Sequence, residues 1–147
     1  MAVTKAEYIN MAEKKSPNSP IAINMMWAFF SGGIICTIGQ AIMNLYEMFG
    51  LDELEASSAT SISLIFLGAL FTGLKVYDKL AKRCGAGTLV PITGFANSIV
   101  SPALEYKSEG FILGMSAKMF TIAGPVLVFG ISASVIYGVV IWIFRLF

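Results

Sequence analysis

The side chains best placed to do chemistry in this chain are uncharged polar groups set inside apolar runs. Gly33, Cys36, Thr37, Gln40, Asn44 and Glu47 recur at three- and four-residue spacing. On a helix they fall within an arc of roughly 100°, with Ile, Met, Phe and Ala opposite. A second set lies downstream. If the chain is helical after Pro91, Thr93, Asn97 and Ser101 share a ridge, with Gly94 and Ser98 beside it. Glu47 falls at the predicted membrane surface, so neither ridge carries a full charge at depth. Hydroxyls, amides and backbone suit a polar solute of little net charge. They do not suit an ion filter, which uses rings of carbonyls or of charges. Gln40, Asn44, Thr93, Gly94, Asn97, Ser98 and Ser101 are therefore the candidate solute path. For Gln40 two readings stay open, a hydrogen bond to a neighbouring helix or a pore wall.

Charged chemistry is confined to a few places. Glu105, Lys107 and Glu109 form a knot that is either a solvated turn or a pore mouth, where Lys107 meets an anionic solute or Glu109 a cation. Lys118, in an apolar stretch, must snorkel to an interface or pair with a carboxylate. The chain has no histidine, which excludes Ser-His-Asp and Cys-His catalysis. Its two cysteines, Cys36 and Cys84, are too few for a disulfide framework or a four-thiolate metal site, and Cys36 reads as a small hydrophobe. The carboxylates fall at predicted interfaces, away from any paired acid–base arrangement at depth. The expectation is a protein that is not an enzyme and uses no metal and no cofactor.

The elements that position these groups follow from composition. Of 147 residues, 56% are hydrophobic and 13% charged, against roughly 25% charged in an average globular protein. Mean hydropathy is +0.77. A small soluble domain needs a charged surface, so the lipid membrane is the expected surroundings. The net charge of +1 offers no basic field for nucleic acid. A helical span needs about 20 apolar residues. Candidate spans are 24–48, 58–76 and 121–144, with Trp27, Tyr46, Phe49 and Trp142 near their ends, where interfacial aromatics belong. The stretch 88–103 is apolar but short, and Pro91, Gly94 and Pro102 interrupt it. Such broken segments point to permeation or binding sites, although a plain kinked span is equally open. From 111 to 144 one helix would exceed the bilayer core, so a break is expected near Gly124-Pro125, after an interfacial piece or half-helix.

The fold class expected is an all-α integral membrane protein, with three to four transmembrane helices and a Gly/Pro-broken or re-entrant segment at 88–103. It divides into an N-terminal arm, 1–23, and a single polytopic membrane domain, 24–147. Small-residue spacings around Gly68 and Gly73, and at Gly130, Ser134 and Gly138, predict helix-packing faces within or between chains. Lys5, Lys14 and Lys15 in the arm and Lys75, Lys79, Lys82 and Arg83 after the second span predict a cytoplasmic side for both, with the acidic 47–57 loop opposite.

Four strings carry a resemblance. They are GGIICTIGQ at 32–40, TGLKVYD at 72–78, GAGTLVPITGFANSI at 85–99 and LEYKSEG at 104–110. On these the chain, from about residue 20 to its end, resembles the SpoVA membrane proteins of endospore-forming bacteria, most of all their AC-type branch. The resemblance implies a place in the spore (forespore) inner membrane. It implies movement of dipicolinic acid, as its Ca2+ chelate, into the developing spore and out at germination, and channel activity that responds to membrane tension. It also implies work alongside other SpoVA proteins, an AE-b-type membrane subunit and a soluble dipicolinate-binding AD-type subunit. No ligand-binding residue carries over with the strings. Four thin passages cannot enclose a pore for such a solute alone, so a homo- or hetero-oligomer is expected. The alternative function is a non-conducting scaffold that assembles the other subunits.

Overall fold

The computed structural model describes residues 4, 7–9, 11, 15 and 19–145. Most of the N-terminal arm, with Lys5 and Lys14, lies outside the described residues. Among these residues every regular element is helical, as lipid demands of a backbone that must satisfy its own polar groups.

Helix α1 spans Ile21–Met48 and starts directly after Pro20. Gly50, at φ +89°, turns the chain. Asp52 then sits in extended backbone at the start of α2, Glu53–Gly73, with Glu53 and Glu55 in its first turn. Carboxylates stabilise a helix start by opposing its dipole, so the acidic loop opens the helix five residues before the expected 58. The end is also earlier than 76. Lys75 takes a left-handed conformation, φ +58°, and the Val76 amide donates back to the Phe71 carbonyl at 3.0 Å.

A short amphipathic helix, α3, covers Tyr77–Cys84, burying Tyr77 and Cys84 while Asp78, Lys79, Lys82 and Arg83 stay exposed. Gly85 leads into one turn, α4 at Ala86–Leu89. Pro91 in extended backbone then begins α5, Ile92–Glu105. At 14 residues, α5 reaches about 21 Å, less than a bilayer core of about 30 Å. A 3-10 turn, Tyr106–Glu109, and a wide π turn, Phe111–Ser116, connect it to α6, Ala117–Arg145.

The break expected at Gly124-Pro125 is absent, because α6 runs on through Pro125. The chain breaks instead at Gly110, whose φ of +102° suits glycine. Proline removes one backbone donor, a loss that spanning helices tolerate. Three helices are long and apolar enough to cross a membrane: Ile21–Met48, Glu53–Gly73 and Phe111–Arg145. The core sits where α5 lies along α2 and against the first part of α6, while α1 packs on α2 and α4. From Pro125 to Arg145 every residue is exposed.

Candidate functional site

Two separate polar groups emerge. The inner one joins α2, α3, α4 and α5. The Tyr77 hydroxyl donates to the Thr88 carbonyl at 2.7 Å and has the Thr93 hydroxyl as its second partner at 3.0 Å. Thr88 is fully buried and Thr93 only 7% exposed. One turn along, Thr72 Oγ1 lies 2.7 Å from the Gly68 carbonyl and 2.9 Å from Asn97 Oδ1, its proton placed between two acceptors. Burial pushes the Tyr77 hydroxyl above its ordinary pKa, the bond to Thr93 opposing, so it stays a donor.

This knot depends on close backbone approach. A β-carbon on Gly94 would run into the carbonyls of Thr88 and Leu89, and one on Gly68 would lie 2.9 Å from the Thr93 carbonyl. Gly87 is held as tightly against Ala28 and Ser31 of α1. Ser98 bonds back to the Phe95 carbonyl at 2.7 Å, and Ser101 is half-buried.

The outer group is the ridge of α1. Gly33, Cys36, Thr37, Gln40, Asn44 and Glu47 are all exposed on the side turned from the rest of the chain, whereas Gly39 is buried. Gln40 Nε2 donates to Asn44 Oδ1, 2.8 Å away in the same helix. The structure does not bring this ridge together with Thr93 and Asn97, which lie between α5 and its neighbours. Glu105 closes α5 and Lys107 and Glu109 lie on the turn after it, all three exposed. Lys118 lies over the Tyr106 ring, its Nζ 4.7 Å from the centroid, a cation–π contact. Gly73, Gly130 and Gly138 have open space beside them, and Ser134 bonds to the Gly130 carbonyl at 2.8 Å.

The SpoVAC/SpoVAEB sporulation membrane protein family matches residues 24–140. Stage V sporulation protein AC of Bacillus subtilis (strain 168) is 43% identical over 146 residues, covering 99% of this chain and 97% of that protein. The chain belongs to the SpoVAC/SpoVAEB family. No solved structure matches it.

In this SpoVAC/SpoVAEB protein the 85–99 string has a physical role: it supplies the one-turn α4, the Pro91 corner and the glycine that lets α5 approach α4. Sequence reasoning left two members of the inner knot out of the candidate path. Tyr77 is a lone aromatic opening an amphipathic turn, and Thr72 reads as a small packing residue. Apart from the knot, in the first half of α2, Thr60 has a buried hydroxyl with no hydrogen-bond partner among the described residues. Its only sequence signal was the hydroxyl itself, since neighbouring Ser58, Ser61 and Ser63 bond back to their own helix.

Proposed function

We propose that this chain is a subunit of a spore inner-membrane channel that moves dipicolinic acid, as its Ca2+ chelate, and that membrane tension opens it. The observation carrying this reading is the outward ridge of α1. Gln40 and Asn44 satisfy only each other and face away from their own chain at membrane depth. Amides there need a partner on another helix or a hydrated lumen, so the ridge belongs against another subunit or a water-filled path. A one-to-one chelate of Ca2+ with dipicolinate is formally neutral, which suits a wall of amides and hydroxyls. The relative's name supports the sporulation setting, and the resemblance of the strings supplies the solute.

In this reading other SpoVA subunits complete the path, and α4 with α5 re-enters the bilayer without crossing it, as the short reach of α5 favours. The arm and the 75–87 segment then share the cytoplasmic (core) side with Glu105, Lys107 and Glu109. The test is release of Ca2+–dipicolinate from liposomes holding the purified chain, alone and with its sister membrane subunit, under osmotic stretch. Stretch-dependent release slowed by Gln40→Leu supports the channel; no release from any combination overturns it. The scaffold reading is favoured by one feature, the engagement of Thr93 and Asn97 in bonds to Tyr77 and Thr72. It requires unchanged release in Gln40→Leu and loss of subunit assembly when Lys79, Lys82 and Arg83 are reversed in charge.

A further inference from the structure

A notch of about 390 Å³ opens where the end of α3 lies against the start of α1. It is lined by Ile21, Asn24, Met25 and Ala28 of α1 and by Lys82 and Arg83 of α3. The volume lies in the range of a small-molecule site, about 300–1,000 Å³. The two cations occupy the last turn of α3, where the helix dipole favours them. The walls are held in place by the chain itself. Gly87, just past the corner, packs so close to Ala28 that a β-carbon there would strike the α1 backbone.

Among the described residues no carboxylate lines this notch. The one acidic residue of α3, Asp78, stands in its first turn and is not part of the lining. The first turn of α1 has neither an acidic residue nor a side-chain cap. Two cations and one amide therefore border an apolar wall, with no anion of the described chain to meet them. The depth is set by α1: residues 21–28 are the first two turns of a span, and Trp27 sits among them where interfacial aromatics belong. The notch thus lies at the boundary between headgroups and hydrocarbon, and the anion at that depth in a bilayer is the lipid phosphate. A zwitterionic headgroup would bring its own cation against Lys82 and Arg83, whereas a net anionic one would not.

We propose that this notch binds the phosphate of an anionic phospholipid. Lys82 and Arg83 hold the phosphate, and the Arg83 fork can meet two of its oxygens at once. The Asn24 amide donates beside them, and Met25 and Ala28 carry the start of the acyl chains. Each cation at the membrane surface adds attraction for the headgroup. The site is separate from the ridge of Gln40 and Asn44 and stands whether or not the chain conducts.

Native mass spectrometry of the full chain, titrated in detergent with phosphatidylglycerol or phosphatidylcholine, tests the proposal. The parent is expected to keep one phosphatidylglycerol, with about tenfold preference over phosphatidylcholine. Lys82→Gln combined with Arg83→Gln should abolish the preference. Lys75→Gln combined with Lys79→Gln removes the same charge from the same segment outside the notch, and should leave the preference in place. Asn24→Asp puts a carboxylate into the notch at an exposed position, near a helix start that acidic residues stabilise. It should abolish retention while the helical circular dichroism is unchanged. Equal loss from the two double variants would reveal a diffuse positive field and overturns the site. So does no retention by the parent, equal retention of the two lipids, or undiminished retention by Asn24→Asp. Displacement of phosphatidylglycerol by inorganic phosphate would assign the notch to a free oxyanion and overturns the lipid as its occupant.

Discussion

Gly94 stands where α5 meets the carbonyls of Thr88 and Leu89, and no side chain fits there. Gly94→Ala must push two backbones apart, at a cost of about 1–3 kcal/mol. The expected outcome is a clear fall in thermal midpoint in detergent, while Gly130→Ala, facing open space, leaves it unchanged. Tyr77→Phe tests the same knot by removing the hydroxyl that reaches both Thr88 and Thr93. The Thr88 carbonyl would remain buried and lose a partner, at about 1–3 kcal/mol. The pH dependence has a definite sign. Burial makes the folded Tyr77 hold its proton more tightly than an ordinary tyrosine, whose pKa is about 10, so its contribution is complete below that value. It is lost as pH rises beyond it, since the unfolded chain ionises first. Chemical denaturation should show stability that declines above about pH 10, and Tyr77→Phe should decline less steeply.

At the scale of elements, the backbone breaks where φ demands glycine and continues where the sequence only discourages helix. Gly110 has positive φ and separates α5 from the π turn, whereas Pro125 sits inside a continuous α6. The reach of α5, about 21 Å, makes the side of the 105–109 turn the decisive topological fact. In a background with Cys36 and Cys84 replaced by alanine, cysteines at Glu105 and Glu109 are expected to react with an impermeant maleimide from the same side as one at Lys79. Reaction from the opposite side would make 88–103 a full crossing and give the protein a fourth passage.

At the scale of the molecule, the chain leaves two surfaces for others, the polar ridge of α1 and the free part of α6, 125–145. The ridge is the one that hydrocarbon cannot satisfy. Replacing Gln40 and Asn44 together by leucine is expected to weaken association by about tenfold, in line with one or two interhelical hydrogen bonds at membrane depth. Light scattering of the detergent-solubilised protein, alone and with its sister subunit, checks this as a shift toward the single-chain mass. An unchanged mass would show that the ridge faces water or lipid and not protein.

Much of this architecture was legible from composition and local pattern. Apolar runs of sufficient length must be helical in lipid, so the three spans and their order were readable without coordinates. The ridge at 33–47 was readable because helical spacing depends on the chain alone. The break at Gly110 and the continuity at Pro125 were not, because glycine permits several conformations and proline's lost donor can be tolerated inside a span. Sequence could place Thr93 and Asn97 on one ridge, but not tell that Tyr77 and Thr72 would meet them. Those partners lie 16 and 25 residues away along the chain, and packing between elements alone brings them within bonding distance.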